Sequence, residues 1–458
     1  MKIAFTTLGC KLNYAETSTY ERGFAAAQWE IVPWKEAADV YLVNTCAVTE
    51  TAEKKSRNLI RRAHRTAPQA RIIVTGCYAE IHKQALEQME GVWKVYGAAD
   101  KAQIVPETLA GVGAVSRDAA SRPLPSSMGP SLLHGRGWGP RKAMAFWGTP
   151  GWPWSLDTAP TPAYTSGVLP AYSSGERTRS FLKVQDGCDN FCAYCTVPFA
   201  RGRSRNLPIA DLTRQAGEIA AQGVKEIVLT GVNTGDFGRT TGESFLDLLK
   251  ALNEVEGIER WRISSIEPNL ITPEIIDWIA SGTRFQPHFH IPLQSGSDVL
   301  LRKVGRRYDT ALFASRIERI RQAMEGPGKP RVFFGIDVIV GLPGESEDLF
   351  QETFHFLEER IRPAYLHVFP YSRRPGTRAA EWPDQIPETV KAERVARLEA
   401  LSDRLHAAFL CENKGVKERV LWESSVRGGK MGGYTGNYIR LEANADPLKF
   451  NTLEEVIL

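Results

Sequence analysis

The first hundred residues alternate short apolar runs with longer stretches whose apolar positions recur every three to four residues. The runs are KIAFTTLGC, DVYLVNTC, RIIVTGC and WKVYGA, and the amphipathic stretches fall near 16–28, 49–65 and 78–89. Runs of that length rich in β-branched residues predict strands, and the longer period predicts helices. Such alternation makes a small parallel sheet covered by helices, because parallel neighbours need a crossover connection. From about 177 the alternation returns. FLKVQDGC, EIVLTGV, WRISSIEP, HFHIPLQS, VFFGIDVIVGLPG and AYLHVFPYS are predicted strands, with helices starting near 208, 244, 273, 309 and 346 and a last one over 387–413. Six such units fall short of a closed eight-stranded barrel, so an open, partial (β/α)6 TIM-like barrel is expected, with its chemistry at the carboxyl ends of the strands. From 414 the tail breaks into short strands punctuated by Gly and Asn, the pattern of a small antiparallel β-barrel or meander.

The expected fold class is therefore α/β, with domains over 1–111, 177–413 and 414–458. Residues 112–176 are rich in Pro, Gly and Ser and lack sustained periodicity, so they read as a linker or insertion. Trp138, Trp147, Trp152 and Trp154 are unusual in a linker, and docking on a neighbouring domain would account for them.

Composition narrows the picture less. A hydrophobic fraction of 43% and a charged fraction of 24% suit a globular chain of 458 residues, and a net charge of +4 permits an RNA or phosphate partner without requiring one. No apolar run reaches the roughly 18 residues that a membrane span needs, so a cytoplasmic protein without membrane contact, and a monomer, is expected. Seven widely spaced cysteines argue against a disulfide framework and for reduced thiols with metal or catalytic roles.

The stretch GCDNFCAYC places Cys188, Cys192 and Cys195 after the first barrel strand and supplies no fourth ligand. A structural zinc site wants four ligands, whereas a [4Fe–4S] cluster on three thiolates leaves one iron open. This Cys-x3-Cys-x2-Cys spacing, with Tyr194 before the last cysteine, resembles the signature of the radical S-adenosylmethionine (SAM) superfamily. The resemblance implies that the open iron binds SAM and delivers the electron that cleaves it to a 5′-deoxyadenosyl radical. Cys10, Cys46 and Cys77 each stand at a strand end of the first sheet, the rim where ligands gather in open α/β folds, and together they suggest a second cluster. Cys411 reads as a packing residue.

A three-cysteine α/β domain, a radical SAM barrel and a small β tail, in that order, resemble the methylthiotransferases, which replace C–H by C–S–CH3. TLGCKLN, EIVLTGVNTGDFG, RISSIEPNLIT and PHFHIPLQSGSD are most similar to the branch acting at C2 of N6-threonylcarbamoyladenosine 37 in tRNA, next to the anticodon. The alternatives are the same chemistry on isopentenyladenosine 37 or on a ribosomal-protein aspartate, and, in a different class, a non-enzymatic iron–sulfur RNA-binding sensor. The resemblance implies two [4Fe–4S] clusters and SAM as cofactors. It implies as partners a tRNA anticodon stem-loop and an electron donor such as flavodoxin or ferredoxin.

Within the barrel the resemblance assigns SAM contacts to Gly231 and Asn233 of GVN, to Glu267, and to Gly341, Gly344 and Glu345 of VIVGLPGE, although each also suits a tight β/α turn. His288 and His290 share a strand face and read as a packed or substrate-facing pair, there being no third metal ligand nearby in sequence. Arg201, Arg203 and Arg205, with Arg302, Lys303, Arg306 and Arg307, follow strand ends and are expected to meet phosphates. In the tail, Lys430, Tyr434, Tyr438 and Arg440 lie among glycines in a segment that resembles the RNA-binding TRAM domain, where aromatic and basic residues would suit an anticodon loop.

Overall fold

A computed structural model describes residues 1–118, 168–174 and 178–458, so Trp138, Trp147, Trp152 and Trp154 lie outside the described residues. Contacts group 1–102 with 161–458 into one compact unit, and 103–160 form a second, whose described part carries the helix Ile104–Asp118.

The amino-terminal sheet contains β1 (Lys2–Thr7), β2 (Glu30–Val32), β3 (Val40–Thr45), β4 (Arg71–Gly76) and β5 (Val92–Val95), all parallel in the order β2-β1-β3-β4-β5. β3, VYLVNT, is buried at every position, as a central parallel strand covered on both faces must be. Of the covering helices, Glu50–Thr66 has clear start and stop signals. The Thr49 side chain accepts a hydrogen bond from the Ala52 amide, Glu50 and Glu53 occupy the first turn, and His64 and Arg65 the last.

The barrel strands fall where the hydrophobic pattern puts them. β6 (Arg179–Lys183) leads into a short hairpin, β7 (Gln185–Asp186) and β8 (Arg205–Asn206), which brackets the second cysteine loop. β9 (Glu226–Thr230) and β10 (Arg260–Ile263) complete a parallel sheet with β6, and β11 (His288–Gln294), β12 (Phe333–Val340) and β13 (Tyr365–Pro370) form another. A parallel bridge between Trp261 and Phe285 links the two sheets. β6 and β13 are not paired with each other, which leaves the barrel open. The free edge of β6 is taken by the segment before it, with Ser173 N donating to Phe181 O and Lys183 N to Ala171 O, both at 2.9 Å. Strand alternation sends Phe289, Ile291, Leu293, Phe334, Ile336 and Val338 outward into one core beneath the helices. The opposite positions, His288, His290, Gly335 and His367 among them, line the barrel interior.

The tail is an antiparallel sheet of β14 (Lys417–Arg427), β15 (Lys430–Thr435), β16 (Arg440–Asn444) and β17 (Leu453–Ile457), in the order β16-β15-β14-β17. It is an open half-barrel and not a closed one, and it is completed by docking. Arg262 donates to Gly436 O (2.7 Å) and Thr435 O (2.8 Å), and Arg260 to Tyr434 O (2.9 Å), so carbonyls at the turn find partners on β10. Among the described residues no helix is long and apolar enough to cross a membrane.

Candidate functional site

Three of the predicted cluster ligands share one local construction. Cys10, Cys77 and Cys188 each follow a glycine near a strand end, and Gly9, Gly76 and Gly187 have φ of 106°, 98° and 73°. That left-handed turn is open to glycine at little cost, and it aims the next residue back over the sheet edge. Gly76 is also required by contact, because a Cβ there would lie 2.3 Å from Thr45 O on β3. A Cβ on Gly9 would sit 3.2 Å from Cys46 Sγ, which places the Cys10 loop against Cys46. Cys10 is moreover the N-cap of the helix Lys11–Ala26.

The six thiols are free, and the three in each group disturb one another. Burial, and then the neighbouring Cys77, push the Cys46 thiol up to about 11; burial and Cys192 push Cys195 up to about 12. Cys188 and Cys77 are raised as well, chiefly by burial. Thiols gathered at such cost and left unbonded suit an acceptor that takes them as thiolates. The sulfurs already have donors: Asn190 N to Cys188 Sγ (3.5 Å), Val197 N to Cys195 Sγ (3.5 Å) and Arg306 Nη1 to Cys192 Sγ (3.3 Å). Charge, hydrogen bonds and ligand number thus fit an iron–sulfur cluster at each triad. The triads are also mutual neighbours, since an ionised Cys77 disfavours ionisation of Cys195.

A buried charge network holds the triads together. Glu16 on the first long helix accepts from Lys101 (2.6 Å), Lys183 on β6 (2.8 Å) and Arg201 (3.3 Å). Asp186 accepts from Lys183 (2.8 Å), Arg201 (2.8 Å) and Arg205 (3.1 Å). Three fully buried cations face two buried carboxylates, with Arg205 a fourth cation at the edge, so the network carries excess positive charge. Arg201 is near enough to favour the thiolate of Cys77. An excess cation beside thiolate-bound, anionic clusters is the sign electrostatics requires.

Around the second triad, Asn190 Nδ2 donates to Glu267 Oε1 (2.8 Å), the Arg306 guanidinium forms an ion pair with the same oxygen (2.8 Å), and Glu267 N donates to Asn233 Oδ1 (3.2 Å). Asn233 Nδ2 is buried without an acceptor, a donor free for a ligand at the Gly231 turn. Tyr194 packs with Ala193, Val304, Leu342 and Tyr371 under the cluster loop. Gly341 (φ 75°) and Gly344 (φ 85°) make the turn after β12. Glu345, expected as a SAM contact, is spent on that turn: its Oε2 accepts from Gly341 N (2.6 Å) and Arg394 Nη1 (2.7 Å).

Three expected phosphate contacts are corrected. Arg201 is 2% exposed and fully occupied by Glu16, Asp186 and Asn13. Arg205 turns inward to Asp186, and Arg306 lies between Cys192, Glu267 and Tyr308. The partners of these guanidinium groups outbid solvent because they are themselves buried. Arg203, Arg302, Lys303, Arg307, Lys430 and Arg440 are exposed. Tyr434 and Tyr438 face the barrel: their rings lie 4.8 Å apart, Tyr438 packs 4.8 Å from His288, and Arg179 Nη1 donates to Tyr438 Oη (3.1 Å).

These elements enclose a cavity of about 1340 Å³ that runs from Cys10 through the open side of the barrel to the tail. His288, His290 and His367 open onto it. His290 Nε2 is 2.6 Å from Asp337 Oδ1, and donor atoms of His290, Asp337 and His367 all lie within 4.8 Å of one another. Sequence spacing concealed this group because its members come from β11, β12 and β13.

Residues 2–97 match the family described as "Uncharacterized protein family UPF0004", and residues 182–357 match the radical SAM superfamily. The chain is 37% identical over 445 residues to the threonylcarbamoyladenosine tRNA methylthiotransferase MtaB of Bacillus subtilis, across 96% of this chain and 89% of that one. It is 34% identical to the protein of the same name from Aquifex aeolicus, across 92% of each chain. Identity to the tRNA-2-methylthio-N(6)-dimethylallyladenosine synthase of Nitratidesulfovibrio vulgaris is 32%, across 92% of this chain and 86% of that one. Among solved structures, the radical S-adenosylmethionine methyltransferase TsrM from Kitasatospora setae aligns over 83% of this chain and 74% of its own, with a TM-score of 0.53. At 14% identity that likeness is one of fold.

Proposed function

The chain belongs to the radical SAM methylthiotransferases, and from that premise we propose that it adds a methylthio group at C2 of N6-threonylcarbamoyladenosine 37 in tRNA. The observation that carries the reading is the pair of neighbouring cysteine triads, one of which reaches through Cys10 a cavity large enough for a modified base. The substrate is supported by the names of the Bacillus and Aquifex relatives.

In this reading Cys188, Cys192 and Cys195 hold one [4Fe–4S] cluster, Cys10, Cys46 and Cys77 hold a second, and SAM lies along Gly231, Asn233, Glu267 and Gly341. When bound, the barrel cluster and SAM supply the radical that removes an unactivated hydrogen, and the amino-terminal cluster presents the sulfur to be transferred. The residues of the chain do the positioning. Arg306 orients Glu267 and lends positive charge to the Cys192 thiolate. Arg201, Glu16 and Asp186 fix the spacing of the two triads, on which transfer between them depends. Walls from β6, β11, β12 and the tail keep bulk water from the reacting carbon. Exposed Arg203, Arg302, Lys303 and Arg307 near the barrel rim, with Lys430 and Arg440 on the tail, supply phosphate contacts to the anticodon stem-loop. An external one-electron carrier such as flavodoxin or ferredoxin serves the clusters, and the site of action is the cytoplasm.

Anaerobic reconstitution tests the reading. The expected product is about eight irons per chain, SAM cleavage under reductant, and a methylthio group on threonylcarbamoyladenosine in tRNA from a deletion strain. Modification of isopentenyladenosine alone would reassign the substrate, and absence of 5′-deoxyadenosine would refute the enzyme.

A further inference from the structure

The charges facing the cavity do not balance. Lys11, Arg179, Arg262, Arg427 and Arg440 line it, and Glu423 is the one carboxylate among the lining residues. Most of these cations are committed: Arg179 to Glu423 (2.7 Å), Arg262 to Glu226 (2.9 Å) and Arg440 to Glu442 (3.0 Å). Asp337, the nearby acid that draws on Lys11, is itself bonded to His290 (2.6 Å). Lys11 has no hydrogen bond or ion pair among the described residues, and its Nζ stands 6.0 Å from the centroid of the Phe181 ring. The residue is solvent-exposed and lines the cavity beside Arg179 and Arg262. An unpaired ammonium among neighbouring cations makes this end of the cavity attractive to an entering anion.

The place of this cation matters as much as its charge. Lys11 directly follows Cys10, so it marks the end of the cavity where sulfur would be delivered. In adenine, C2 and C6 both flank N1, and a substituent on N6 points toward the edge that carries C2. A threonylcarbamoyl group ends in a carboxylate, whereas an isopentenyl group is apolar and neutral.

We propose that Lys11, in the field of Arg179 and Arg262, is the subsite that binds the threonyl carboxylate and selects this nucleoside over adenosines with neutral N6 groups. The proposal rests on the substrate reading above and adds to it the residue that makes the choice. A tRNA phosphate has the same anionic chemistry and would meet the same cation, so the test separates the two sources.

Two tRNAs are compared with the reconstituted full chain: one carrying threonylcarbamoyladenosine, the other its primary amide, identical except for the neutralised carboxylate. The wild type should prefer the acid by about tenfold or more in kcat/KM. Equilibrium binding without turnover should give the same order. Lys11→Met should bring the ratio close to one, and Lys11→Arg should retain it. Because the readout is a ratio within one preparation, a partly folded variant does not obscure it. An equal rate on acid and amide by the wild type, or an undiminished preference in Lys11→Met, overturns the subsite while leaving the enzyme reading intact. A uniform loss on both tRNAs with a changed salt dependence assigns Lys11 to a phosphate and also overturns it. Activity on isopentenyladenosine tRNA with none on either threonylcarbamoyl substrate removes the substrate reading and the subsite together.

Discussion

Glu16 is fully buried and meets three cations from three separate stretches of the chain. Burial alone would raise its pKa, but Lys101, Lys183 and Arg201 outweigh burial and hold it well below the usual carboxylate range. Asp186 is depressed in the same way, against burial, by Lys183, Arg201 and Arg205. A carboxylate depressed in the folded state contributes stability that is complete above its unfolded value, near 4, and is lost as pH falls toward the folded value. The expected result is an unfolding free energy that this network leaves flat from pH 7 to 5 and lowers below about pH 4. Glu16→Gln leaves three buried cations against Asp186 and should cost about 3–5 kcal/mol at neutral pH, read by denaturant unfolding, with a shallower acid limb. A loss under about 1 kcal/mol would mean that the network is open to solvent.

At the scale of elements, the strand-glycine-cysteine turn is the recurring unit. Gly76→Ala drives a methyl group into the Thr45 carbonyl and strains a left-handed turn, so Cys77 is displaced while the barrel loop is untouched. Reconstituted Gly76→Ala should therefore hold about half the wild-type iron, near four atoms per chain, with the spectrum of a single cluster. Iron equal to the wild type would show that Cys77 is not a ligand. Cys10, Cys46 and Cys77 were grouped only through their places at strand ends, whereas the six barrel strands and the Cys188, Cys192 and Cys195 group were legible in the sequence because period and spacing are local. β2 was not, since three residues, EIV, at a sheet edge carry no periodicity. The inward turn of Arg201, Arg205 and Arg306 was hidden for another reason. A run such as ARGRSR shows charge but not burial, and the carboxylate that claims Arg201 lies 185 residues away. Lys11 was passed over on the same account, because a cation without a partner is recognised only once the charges around it have been placed.

In the whole molecule the tail is part of the barrel wall. Arg260 and Arg262 on β10 reach turn carbonyls of the tail, Arg179 on β6 reaches Glu423, and Tyr438 packs at a tilt against His288. Removing 414–458 would strip those guanidinium groups of their tail acceptors, leaving them to share Glu226, and open the cavity. The truncated chain should melt at least about 5 °C lower than the full one, where a detachable RNA-binding module would leave the melting temperature unchanged and weaken tRNA binding alone. The network around Glu16 has a counterpart in time. During synthesis Glu16 is made long before Arg201, and at about 5–20 residues per second the 185 residues between them take roughly 10–40 s. Lys101 follows Glu16 after 85 residues, but Lys183 and Arg201 come only with the barrel, so until then the buried carboxylate lacks two of its three cations. Full charge compensation of Glu16, close to Cys77, is therefore expected only after translation passes the ARGRSR stretch.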